Sequence, residues 1–117
     1  MRAMDNRYFT ILGHATGRLL LKRPGYEIDL PRLITHARQS RCLFELNCSP
    51  DRLDLSAENA RLVRDAGIPI AISTDAHSTT ELHTIRFGLE QARRAGLEKS
   101  SVLNARGLAE ILKVFRR

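Results

Sequence analysis

Asp75-Ala76-His77 puts a carboxylate and an imidazole two residues apart, directly after the apolar run Ile68 to Ser73. Two further apolar runs end in polar groups: Tyr8 to Leu12 runs into Gly13-His14, and Cys42 to Leu46 into Asn47. Neutral imidazole nitrogens and an anionic oxygen form a mixed donor set suited to zinc, manganese or iron. Water in the open positions would make it hydrolytic. His14, Asp75 and His77 are therefore the candidate metal ligands, with Asp75 and His77 the candidate catalytic pair. Each has a plainer reading: a helix-capping Asp-x-His turn, and a loop histidine. The case rests on three strands delivering these groups to one end.

Four other residues belong to the candidate site. Glu45 could serve as a general base, as an acceptor for a metal-bound histidine, or as a polar residue closing a barrel layer. Asn47 lies at the end of its strand. Arg18 and Arg52 lie on loops at the same end, where a guanidinium could neutralise a phosphate oxygen; a loop salt bridge of Arg52 with Asp54 is the alternative. His36 and His83 are read as ordinary surface residues. The Gly-x-x-x-x-Gly-Lys pattern of a phosphate loop is absent, which argues against a nucleoside triphosphatase.

The elements that must position these groups alternate. Asp29 can cap a helix carrying Leu30, Leu33, Ile34 and Ala37, with Pro31 tolerated in its first turn, ending near Ser40. In the next strand Leu43, Glu45 and Asn47 share one face, and Cys42, Phe44 and Leu46 the other. Ser56 caps a helix through Ala66, and Gly67 stops it before the Ile68 to Ser73 strand. A further helix begins at Ser78 or Thr79, with Leu82, Ile85, Leu89 and Ala92 as its apolar stripe. Ser101 to Leu103 is extended, and Asn104 caps a last helix carrying Leu108, Ile111, Leu112 and Phe115. Alternating strands and helices imply an α/β fold with a parallel sheet, in which ligands bind beyond the carboxyl ends of the strands.

Composition bounds the rest. The chain has 117 residues, 43% hydrophobic and 27% charged, which suits one small domain but is short of the roughly 250 residues of a full enzyme barrel. Net charge is +6, with sixteen Arg against three Lys. A guanidinium fork favours a phosphate-bearing partner, although a solvated basic surface would give the same count. With no Trp and few Tyr and Phe, a base-stacking single-strand platform is poorly supported. Cys42 and Cys48 are too few for a disulfide framework, which points to a reduced, cytoplasmic setting. The first residues lack the apolar core of a signal peptide, and no run reaches the roughly 18 apolar residues of a membrane span.

Four blocks resemble the PHP family of metal-dependent phosphoesterases, most closely the PHP domain at the C-terminus of bacterial and archaeal family X DNA polymerases. They are Gly13-His14-Ala15-Thr16-Gly17-Arg18-Leu19-Leu20, Glu45-Leu46-Asn47, Arg52-Leu53-Asp54-Leu55 and Ser73-Thr74-Asp75-Ala76-His77-Ser78, extended by Ala92 to Gly96 and Val102 to Asn104. The resemblance implies a distorted TIM-like (β/α)7 barrel with up to three divalent metals, manganese or zinc first, iron or magnesium next. It also implies phosphoester hydrolysis, linked in the polymerase branch to exonuclease and DNA-end repair activities. His14, Asp75 and His77 match metal ligands; Arg18, Glu45, Asn47 and Arg52 match positions near the site with substrate or supporting roles. Ala15 replaces the proline usual after this histidine.

The resemblance covers only the C-terminal half of such a domain. The His-x-His of the family's first strand has no counterpart, and the polymerase subdomains are absent, so no polymerase activity is expected. A half-barrel leaves strand edges and an apolar lumen to be covered, which predicts a homo-oligomer or association with a missing N-terminal half. DNA ends or small phosphate esters are the expected substrates. The alternatives are a non-catalytic metal- or partner-binding remnant, and a histidinol-phosphatase-like small-molecule phosphatase, against which the Gly-His-Ala-Thr-Gly-Arg block argues.

Overall fold

The computed structural model describes residues 1–115. Three parallel strands, β1 (Ile11–Leu12), β2 (Leu43–Asn47) and β3 (Ile70–Ser73), form a sheet in the order β1-β2-β3. The helices are α1 (Leu30–Ser40), α2 (Ala57–Asp65), α3 (Ile85–Arg94) and α4 (Leu108–Phe115), with four short 3-10 turns between elements. Ile11 pairs with Leu43, and β2 runs beside β3 from Phe44 opposite Ile70 to Asn47 opposite Ser73. This register brings the ends of β2 and β3 level. The α/β architecture expected from sequence is thus present.

Central position explains β2. Phe44, Leu46 and Asn47 are fully buried and Leu43 nearly so, leaving Glu45 as the partly exposed residue of the strand. Phe44, Leu46, Ile70 and Ile72 are buried on one face, whereas Glu45, Ala71 and Ser73 on the other are only half-buried, so the expected division into two faces holds across β2 and β3. Side-chain caps form where expected: Asp29 accepts from the Arg32 amide at 3.0 Å, and Ser56 from the Asn59 amide at 3.2 Å. Gly67 follows α2 at φ +75°, a left-handed conformation that favours glycine.

The strands are shorter than their apolar runs because the flanking backbone is used elsewhere. The Tyr8 amide donates to the Asn6 side chain at 2.9 Å and the Phe9 amide to Asn6 O at 2.9 Å, so Tyr8 and Phe9 close a turn. Cys42 N donates to Ala37 O at 2.9 Å and Ile68 N to Val63 O at 3.2 Å, both spent on helix ends. Pro69 has no N–H to give.

Two helical expectations are corrected. The stretch from Thr79 to Thr84 is a 3-10 turn, which breaks the phase of the anticipated stripe, and Leu82 and Leu89 are exposed. The buried face of α3 is instead Gly88 and Ala92. A Cβ on Gly88 would stand 2.0 Å from Cys48 Sγ, so a small residue is what lets this helix approach the sheet. The second correction concerns Asn104, which caps no helix. Its amide group donates to Ile72 O at 2.9 Å and its carbonyl accepts from Ile72 N at 3.0 Å, while Val102 forms a parallel bridge with Ile70. Residues 102–104 therefore cover the outer edge of β3. The last helix starts at Leu108; Leu108, Leu112 and Phe115 are exposed and no residue of α4 is fully buried.

Candidate functional site

The loops leaving the three strands are stitched together at the carboxyl end of the sheet. After β1 the backbone turns through His14 at φ 31° and Gly17 at φ 63°. The His14 amide donates to Glu45 Oε2 at 2.7 Å, and the Gly17 amide to His14 O at 2.9 Å. Gly13 lies close beneath, since a Cβ there would be 3.3 Å from Glu45 Oε2.

Asp54 fastens this loop to the one after β2. Its carboxylate is fully buried, and Oδ2 accepts from Thr16 N at 2.9 Å, Thr16 Oγ1 at 2.8 Å and Gly17 N at 3.0 Å. Oδ1 is buried without a hydrogen-bond partner among the described residues. Asn47 N donates to Asp54 O at 2.6 Å, Arg18 Nε to Arg52 O at 2.8 Å and an Arg18 Nη to Leu53 O. Asp54 is thus no partner for Arg52, and the loop salt bridge weighed from sequence is absent. The Arg18 guanidinium pins a loop in this conformation.

The third loop joins through Asn47. Its fully buried side chain donates from Nδ2 to Asp75 Oδ2 at 3.1 Å and to Glu45 Oε2 at 3.3 Å. Ser73 Oγ donates to Glu45 Oε1. Arg52 Nε stands 3.9 Å from Asp75 Oδ2. Asp75 occupies a left-handed turn at φ 55°, a region that short polar residues such as Asp tolerate better than most. The His77 ring nitrogen Nδ1 lies 2.7 Å from Asp75 O, and its amide donates to Glu81 Oε2 at 2.7 Å. A carbonyl oxygen only accepts, so Nδ1 carries the proton there and Nε2 of the neutral ring keeps its lone pair.

A depression of about 500 Å³ lies over this end, lined by Leu19, Asp51, Arg52, Asp75, His77 and His83 among others. Glu45, Asn47, Asp75 and Arg52 therefore converge, and the His14 backbone reaches Asp75 through two intervening side chains. The His14 residue lies outside the lining of the depression. Sequence reasoning missed Thr16, Asp54, Ser73 and Glu81, and set aside His83, which lines the depression. Arg-Leu-Asp-Leu was a legible block, but only a contact across 38 residues reveals what Asp54 does. His36, by contrast, is half-buried, lies 2.7 Å from Asp5 and does not line the depression.

Chemically, the Asn47 amide and the Arg52 guanidinium orient one carboxylate, and a tautomer-fixed imidazole follows two residues on. Such groups can bind a cation through Asp75 and His77 or an anionic oxygen through Arg52. Tested against a metal, the set is incomplete. Among the described residues no group of three or more His, Cys, Asp or Glu side chains gathers to hold one.

The fold and site define an α/β chain with polar groups collected at the carboxyl end of a parallel sheet. Its sequence is 39% identical over 115 residues to the DNA polymerase/3'-5' exonuclease PolX of Bacillus subtilis (strain 168), covering 98% of this chain and 20% of that protein. It is also 27% identical over 110 residues to probable phosphatases of Thermoanaerobacter sp. (strain X514) and Thermoanaerobacter pseudethanolicus (strain ATCC 33223 / 39E), covering 89% of this chain and 42% of each. The chain thus spans about a fifth of the first relative and two-fifths of the others. No protein-family model matches it. One of these relatives is named for an exonuclease activity and the others as probable phosphatases. Among the described residues, no helix is long and apolar enough to cross a membrane.

Proposed function

We propose that this chain is part of a PHP-type phosphoesterase domain, corresponding to the C-terminal half of a distorted barrel, that acts on phosphodiesters at DNA ends. The observation that carries the reading is the Asp75 carboxylate, held 3.1 Å from Asn47 Nδ2 at the end of β3 with the His77 imidazole two residues on. Similarity to PolX along 98% of the chain supports the DNA substrate over a small phosphate ester.

In this reading His14, Asp75 and His77 are a share of a divalent-metal site, manganese or zinc, that the chain does not complete by itself. The remaining ligands come from a second copy or from a polypeptide supplying the other half of the barrel. Glu45 and Asn47 hold the loops and Asp75 in place, Arg52 faces the substrate phosphate, and Arg18 sets the Arg52 loop. Exposed Leu82, Leu89, Leu108, Leu112 and Phe115 offer apolar surface for such an assembly.

The test is hydrolysis of a model phosphodiester with added manganese, alongside sedimentation. Activity in the assembled protein that vanishes in His14→Ala and His77→Ala supports the reading. Equal rates in wild type and both variants overturn it.

A further inference from the structure

The loop between Arg18 and Gly25 holds an arrangement the site itself does not use. Leu21 sits at its tip, fully exposed at 108% of its reference area, with φ 61°. A branched side chain avoids the left-handed region, and an isolated leucine gains nothing from water. Nor is the tip loose. Leu19 and Arg23 exchange backbone hydrogen bonds at 3.1 and 2.9 Å, Lys22 N donates to Leu19 O at 3.0 Å, and Leu20 N donates to Asp51 O at 2.7 Å. The Arg23 guanidinium donates to Gly17 O at 3.2 Å.

The surroundings narrow what this tip meets. Leu19, two residues before it, lines the depression that holds Asp75 and His77. Lys22 and Arg23 follow immediately, and no acidic residue lies between Arg18 and Tyr26. Leu21 shares a hollow of about 390 Å³ with the half-buried Leu19 and Leu20 and with Pro24, still a small patch beside the several hundred Å² of a protein-docking surface. An apolar tip flanked by cations instead matches a base-pair face bordered by phosphates.

We infer that the Leu21 tip caps the terminal base pair of a nucleic-acid duplex, with Lys22 beside the adjoining phosphates. Leu21 packs on the last base pair, and its rigid turn brings the strand end toward the depression beside Leu19. The inference rests on the phosphodiester reading above and names the end of a duplex as what that site receives.

The experiment is fluorescence anisotropy of the full chain, without metal, with a short blunt DNA duplex and with a dumbbell of the same sequence closed by loops. Omitting metal keeps binding readable even where hydrolysis fails. Wild type should favour the blunt duplex by about tenfold, equivalent to about 1.4 kcal/mol. Leu21→Asn, which suits a left-handed backbone, should fold and bind both probes at the dumbbell level. Leu62→Gln, at an exposed leucine of α2, should keep the preference. Lys22→Gln should weaken both probes and flatten the salt dependence. Equal binding of the two probes by wild type overturns the inference. So does an unchanged preference in Leu21→Asn, or a Leu21→Asn effect confined to the sedimentation mass, which would mark a protein contact.

Discussion

The two ends of the sheet are built on opposite terms. At the carboxyl end, three loops share buried carboxylate and amide hydrogen bonds, and His14, Leu53 and Asp75 all adopt positive φ. At the amino end, a hollow of about 400 Å³ is lined largely by apolar groups, among them Leu43, Ile68, Pro69 and Val114, and α4 turns Leu108 and Leu112 to solvent. The carboxyl end gathers strained backbone and buried polar bonding; the amino end has Arg41 at φ 57° closing α1 but otherwise leaves apolar surface. Positive φ at non-glycine residues is tolerated only where neighbours over-determine it, and that is also where reactive groups concentrate.

Asp54→Ala should give the largest effect, because it strips three hydrogen bonds from buried donors. We expect a loss of about 3 kcal/mol, net of relief from burying the charge, read by urea unfolding. Faster amide exchange at Thr16 and Gly17 should accompany it. Unchanged exchange there would dissolve the contrast between the ends. Gly88→Ala should cost about 2 kcal/mol through overpacking on Cys48, checked by thermal unfolding.

Burial pushes the Cys48 thiol from 9.0 up to about 11. The unfolded thiol ionises first, so its contribution to stability is complete below pH 9 and is lost as pH rises toward 11. The unfolding free energy from urea titrations should fall by up to about 1.4 kcal/mol per pH unit in that window, a component absent from Cys48→Ala. Smallest is Leu108→Gln at the amino end, expected within about 0.5 kcal/mol of wild type. A larger loss in the isolated chain would mean α4 is packed, not open.

Strands, caps and the alternating order were legible in the sequence because local propensity and burial agree there. Asp29 and Ser56 cap as their positions suggest. The α3 stripe misled because a 3-10 turn shifts its phase and because close approach to Cys48 selects Gly88 over leucine. Asn104 looked like a cap since asparagine serves in both settings; only its 32-residue reach to Ile72 distinguishes them. In the site, Asp75, His77, Glu45 and Asn47 could be named from strand ends. Asp54 could not, because nothing local separates a buried brace from a solvated loop carboxylate.

The pair of hydrogen bonds between the Asn104 side chain and the Ile72 backbone has a consequence for where the chain can be cut. By presenting a donor and an acceptor together, this side chain imitates the backbone of an absent neighbouring strand. Shortening the polypeptide at about residue 100 would uncover that flank and offer it to other molecules for cross-chain pairing, so such fragments should precipitate as β-rich aggregates.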